Sequence, residues 1–174
     1  MNTSRILSLL FLAHVVHVVA IPAVGRIADH LGRKPVYIAG AALAIAWPFA
    51  AFPMFDTGQS GIILIAIALG LAIHSLMYAV QPAVMTEMFP TRMRYSGVSL
   101  GYQVTAILAG SLAPLIGTVL LRAYGNWLPI AFYIAAASAV SLLAALIMRE
   151  SKSVDLNALD EEDEARLKRR AQPG

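Results

Sequence analysis

Gly25-Arg26-Ile27-Ala28-Asp29-His30-Leu31-Gly32-Arg33-Lys34 lies between two long apolar runs and is followed directly by Pro35. It reads as a short basic turn with one acid and a glycine near each end. A turn this tight between two membrane-length helices needs glycine where the backbone bends or the helices approach closely, which points to Gly25 and Gly32. Arg26, Arg33 and Lys34 place the turn on the cytoplasmic face of a bilayer, because short loops rich in Arg and Lys are retained there.

The composition calls for the same solvent. Apolar residues make up 59% of the 174-residue chain, charged residues 13%, and the mean hydropathy is +0.71, a balance no soluble domain of this size needs. A spanning helix takes about 20 mostly apolar residues. Five stretches qualify: 6–24, 36–55, 62–85, 98–121 and 127–148, and none contains Asp, Glu, Lys or Arg. A charge at a helix centre costs about 2.5 to 3.5 kcal/mol on the insertion scale, so their absence supports spanning. The expected fold is an all-α polytopic membrane protein, with a five-helix region over 1–148 and a charged tail over 149–174.

Arg26, Arg33, Lys34, Arg92, Arg94, Arg149 and Lys152 flank alternate span ends that share one face, while only Arg5 and Arg122 fall on the other. This predicts a multi-pass protein of the cell membrane, surrounded by lipid, with its amino terminus outside and its tail in the cytoplasm. The net charge of +3 then reads as topology, and no nucleic-acid partner is expected. Residues 1–24 read as a span because their apolar run outlasts the roughly 7 to 15 residues of a signal-peptide core. The absence of cysteine excludes disulfides and thiol chemistry. In the tail, Glu162 with Arg166 and Glu164 with Lys168 are spaced for helical ion pairs, which suits a solvated cytoplasmic helix or a frayed end.

Charges return in Glu87-Met88-Phe89-Pro90-Thr91-Arg92-Met93-Arg94-Tyr95-Ser96-Gly97, where Pro90 ends a helix. The first turn, with its Gly, Asp, Gly-Arg-Lys spacing, resembles the signature loop of the major facilitator superfamily. The second, with Glu87, Phe89-Pro90-Thr91, Arg94 and Gly97, resembles the metabolite:proton symporter family within it, as do Ser99-Leu100-Gly101-Tyr102-Gln103 and Ala113-Pro114 further on. The resemblance covers essentially the whole chain and implies that its spans correspond to helices eight to twelve of such a bundle. These transporters are built from inverted three-helix repeats with the solute bound between two halves. Five spans should therefore not enclose a pathway alone, and a separate amino-terminal half is an expected partner.

The resemblance also implies a gating role for the two loops, 25–34 and 87–97, through Gly25, Asp29, Gly32, Arg33, Lys34, Glu87 and Arg94. By charge alone, Asp29 can pair with a nearby Arg or sit at a helix amino end, and Glu87 can reach Arg26 or Arg33 if the first three spans pack together. The plainer role for Arg33, Lys34 and Arg94 is topology anchoring, and the two roles are compatible because exposed ion pairs contribute only about 0 to 1 kcal/mol.

His74, Tyr78 and Gln81 fall at i, i+4 and i+7, which places them on one face of the third span. That span corresponds to a cavity-lining helix in the family, so this face is a candidate for solute contact, with hydrogen bonding to neighbouring helices as the alternative. His14 and His17 form an i, i+3 pair in the first span. With no carboxylate or third ligand beside them, they read as neutral histidines bonded to other helices; no metal is expected. Tyr102 and Gln103 are adjacent, diverge by about 100°, and only one is expected to face a cavity. Gly97 and Gly101, Ala106 and Gly110, and Ala113 and Gly117 repeat at small-xxx-small spacing, which predicts close helix packing on the fourth span. Pro114, and Trp47-Pro48 with Pro53, mark bends; Trp127 reads as an interfacial anchor.

The Gly25 to Lys34 stretch lacks phosphate-loop spacing, and no zinc-protease motif, dinucleotide fingerprint or activated nucleophile is present, so neither an enzyme nor a cofactor is expected. The leading expectation is the C-terminal portion of a proton-coupled symporter of organic acids or related metabolites, with small solute and proton as ligands. The alternative is a truncated or partner-dependent membrane protein that transports nothing alone.

Overall fold

The computed structural model describes residues 3–87 and 89–148, so the tail expected at 149–174 lies outside the described residues. Six helices follow in order: α1 (Thr3–Leu31), α2 (Arg33–Asp56), α3 (Ser60–Tyr78), α4 (Gln81–Glu87), α5 (Thr91–Tyr124) and α6 (Leu128–Ile147). Taken with α3 and α4 as one unit, five are long and apolar enough to cross a membrane. The fold class is the all-helical polytopic one expected.

The helices outrun the apolar runs. α1 continues beyond Val24 to Leu31, and α5 begins at Thr91 rather than near Val98, so both basic patches are largely helical. A helix satisfies its own backbone in water and lipid alike, so it need not stop where the apolar run stops. The first turn shrinks to Gly32, whose N–H still bonds the Ala28 carbonyl at 2.9 Å while its φ of 100° and ψ of 151° turn the chain into α2. That backbone region is essentially confined to glycine.

The third span, expected as one helix over 62–85, is divided between Tyr78 and Gln81. Pro82 has no N–H to give the Tyr78 carbonyl, which the residue count alone does not reveal. The break seats Val80, only 2% exposed, in a cluster with Val24, Ala28 and Val36 beneath the Gly32 turn.

α2 is central, packing against α3 and α6, while α1 packs on α3. α2 and α6 are antiparallel: Lys34 at the start of α2 meets the end of α6, and Asp56 at its close accepts a 3.0 Å hydrogen bond from Trp127 Nε1, which also stacks on Phe52. Alanine dominates the buried positions, among them Ala13, Ala41, Ala66, Ala131 and Ala145. Small residues let backbones approach where lipid gives no hydrophobic drive between helices. At Gly40 a Cβ would lie 2.7 Å from Leu76 Cβ, and at Gly70 one would lie 2.9 Å from Trp47 Nε1.

The close packing expected along α5 is realised only in part. Gly97 and Gly101 face Phe89 and Met85, but a Cβ at Gly110 or Gly117 would meet nothing within 4 Å. Among the described residues α5 packs chiefly on α4 and α6, and lightly, leaving Leu100, Ile107 and Leu115 exposed. Spacing identifies a stripe of small residues; it cannot say what lies opposite. The prolines expected to bend the spans, Pro48, Pro53 and Pro114, lie inside continuous helices.

Candidate functional site

At the end of the bundle that carries both basic turns, cations meet backbone carbonyls. Lys34 Nζ donates to the Leu146 carbonyl at 2.8 Å and the Met148 carbonyl at 2.5 Å, capping α6. Arg94 Nε donates to the Thr86 carbonyl at 2.9 Å and the Phe89 carbonyl at 3.3 Å, where α4 ends. The last carbonyls of a helix lack intrahelical partners and carry partial negative charge, so a cation there is favourable. Asp29 is exposed on the last turn of α1, Arg33 is half-buried at the first position of α2, and Gly25 sits within α1 with open space beside it. Glu87 ends α4, and its side chain lies outside the described residues.

Halfway along the spans, α1 and α3 bring three rings together. His74 Nδ1 lies 3.2 Å from His17 Nε2, so one ring nitrogen donates to the other. Tyr78 stacks on His74 at 5.3 Å between ring centroids and lies 6.3 Å from His17. His17 thus bonds another helix as expected. His14 does not: its Nδ1 bonds the Leu10 carbonyl one turn back in its own helix, at 2.7 Å.

Gln81 departs from the face it was expected to share with His74 and Tyr78. Beyond the break at Ala79 and Val80 it lines a cavity of about 450 Å³ with Tyr37 of α2 and Ser141 of α6. The i+7 spacing assumes an unbroken helix, and Pro82 removes that assumption.

Tyr102 and Gln103 both line one cavity of about 530 Å³ between α4 and α5, against the expectation that only one could. Its α5 wall runs through Thr91, Arg94, Tyr95, Val98 and Ser99, a stripe at helical spacing that Tyr102 continues along its middle while Gln103 stands at one margin. Arg94 joins this wall with its Nη2 buried and without a hydrogen-bond partner. Sequence reasoning gave Arg94 only a gating or anchoring role and missed Tyr37 and Ser141; a hydroxyl at an internal helix position gives no signal until its partner helix is placed.

Antiparallel apolar helices with imidazoles and a phenol at mid-depth and cations at helix ends define a multi-pass helical membrane protein. Its family follows from the sequence match: residues 3–172 fit the model described as Major Facilitator Superfamily, and the chain belongs to that superfamily of transporters. It is similar to the shikimate transporter of Escherichia coli, with 34% identity covering 76% of this chain and 31% of that protein. It also resembles the inner membrane metabolite transport protein YhjE of the same organism, at 31% identity over 88% of this chain and 35% of that one. The ectoine/proline transporter ProP of Corynebacterium glutamicum is 34% identical over 82% of this chain and 28% of its own length. The chain spans about a third of the length of these relatives. No solved structure gives a significant match.

Proposed function

We propose that the chain supplies the gate and one wall of the solute pathway in a proton-coupled symporter of small organic acids or zwitterions. The observation that carries this reading is the family match with relatives named for shikimate, for ectoine and proline, and for proline and betaine. Those solutes are all small and bear a carboxylate. His74 and Tyr78 line the path from α3, Tyr102 and Gln103 from α5, and Gln81 serves the separate cavity beside Tyr37. Arg94 lines the α5 cavity, and its guanidinium charge is suited to a carboxylate passing that end.

The basic end faces the cytoplasm and the amino terminus lies outside, in keeping with retention of cationic loops. The turns at 25–34 and 87–97 hold the inner gate through Lys34 and Arg94, whose bonds to helix-ending carbonyls are individually weak enough to release. Further helices equivalent to the rest of the longer relatives, on the same polypeptide or a separate one, complete the pathway.

The test is uptake of labelled shikimate, proline and glycine betaine by cells that lack their own carriers and express the chain in its natural gene neighbourhood. Uptake above the vector control that a protonophore abolishes is the expected result. Uptake equal to the control for all three solutes, or insensitive to the protonophore, would overturn the reading.

A further inference from the structure

We propose that His17 and His74 form a proton-binding site that accepts one proton and holds it between α1 and α3; its part in coupling rests on the symport reading above. The site itself rests on the 3.2 Å approach of His17 Nε2 to His74 Nδ1.

Proton accounting across that contact is restrictive. Two neutral imidazoles carry two protons on four nitrogens, and the contact requires one proton between the facing pair. The donor ring then has a bare outer nitrogen, while the acceptor ring carries its own proton on its outer nitrogen. An added proton lands on the bare nitrogen, turns the donor into imidazolium and makes the shared hydrogen bond charge-assisted, which shortens and strengthens it. A second added proton would have to occupy the accepting nitrogen, setting N–H against N–H. The contact between α1 and α3 therefore tightens with the first proton and breaks with the second.

Placement makes this more than a packing contact. His17 lies fourteen residues before Leu31 and His74 fourteen after Ser60, so each is about 20 Å along its helix from that end at 1.5 Å per residue. His17 is half-buried, and His74 and Tyr78 are exposed on the surface of the five-span set. An ionisable group at that depth faces protein or a water-filled cavity, not lipid, so this edge borders the pathway.

Few other groups compete for the proton. Tyr78 stacks on His74 and suits a cation by its ring face; His14 stands edge-on to His17 at 6.1 Å with Nδ1 already bonded. The cavity beside His74 is lined from α2 by Trp47, Pro48 and Phe52 and from α6 by Ile134 and Ser138, none of them titratable in the range where imidazole changes charge. Tyr37 lines a different cavity, beside Gln81 and Ser141, and Asp56 accepts from Trp127 at the close of α2.

The chain has four histidines, so ¹⁵N-histidine labelling of the whole protein in lipid nanodiscs gives a readable titration between about pH 5 and pH 8. His17 and His74 should shift together, with one proton shared between them, and H17Q or H74Q should each abolish the joint step. Rings that stay neutral across the range, or that titrate as isolated imidazoles indifferent to substitution of the other, would overturn the site. In proteoliposomes that hold the chain together with the helices that complete the pathway, H17Q should lower the ratio of protons to solute moved. Wild-type symport whose ratio survives both substitutions would overturn the coupling role. Solute entry without protons in the wild type would instead sink the symport reading, and the titration would still decide the site.

Discussion

Lys34 and Arg94 do similar chemistry at one end of the bundle, yet the first joins distant parts of the chain and the second mends a local break. Lys34 reaches carbonyls of Leu146 and Met148, more than a hundred residues on, and so fixes the start of α2 to the end of α6. Arg94 reaches back to Thr86 and Phe89, within eight residues, and closes the gap that Pro90 opens between α4 and α5. The turns that carry them differ in the same sense. Gly32 alone reverses the chain, over a buried cluster shared by α1, α2 and the α3–α4 break, whereas the Pro90 turn leads into a helix with little packed against it. A shared motif class thus conceals two mechanical roles: a clasp for the packed helices and a splice at the root of a loosely held one.

The comparison is most exposed at Gly32. Alanine there must adopt a φ near 100° with extended ψ, so Gly32→Ala should lower stability by about 1 to 3 kcal/mol and loosen α1, α2 and α3 together. Unfolding in mixed detergent micelles, followed by fluorescence of Trp127 against Phe52, would measure it; an unchanged transition would mean the turn is not the clasp. Lys34→Met comes next, at about 1 to 2 kcal/mol, reduced from the full value of a charged hydrogen bond because the ammonium is partly solvated. Its signature is position: hydrogen exchange should quicken at residues 144–148, far from the substitution in sequence. Quickening confined to the start of α2 would contradict the clasp.

Much of this contrast lay beyond the reach of sequence. The spans and the Pro90 break were legible because apolar length and a missing N–H act locally; Gly32 was legible only together with Gly25, because a tight turn asks for glycine without showing which of the two carries it. The partner of Lys34 was not, since a cation beside a helix end looks the same whether it will meet a carboxylate, lipid or a carbonyl from another helix. Pro82 went unread because an apolar run over 62–85 suffices for a span whether or not it is broken, and that oversight misplaced Gln81. His74 and Tyr78 were found by i, i+4 spacing, but their nearness to His17 depends on how α1 and α3 pack. The small residues of α5 show the limit from the other side: a clear periodic signal whose stripe stands largely uncovered among the described residues.

Two smaller effects sharpen the division between clasp and splice. Arg94→Gln should cost about 1 kcal/mol, with faster exchange limited to the residues around the Pro90 turn and no change at the end of α6. Exchange that spread to α6 would make the second turn a clasp as well. Gly25→Ala should be the mildest: a Cβ there meets nothing within 4 Å, and the residue lies inside α1, so alanine removes backbone freedom from the unfolded chain without a clash. The expected change is a gain of about 0.5 to 1 kcal/mol, opposite in sign to Gly32→Ala seven residues away. Should Gly25→Ala instead destabilise the bundle, its glycine must be meeting helices beyond the five spans, and the open space beside it would mark where they dock. Two glycines of one decapeptide, one needed for its φ and the other not needed by this fold, would then separate what the turn does for folding from what the proposed gate would ask of it.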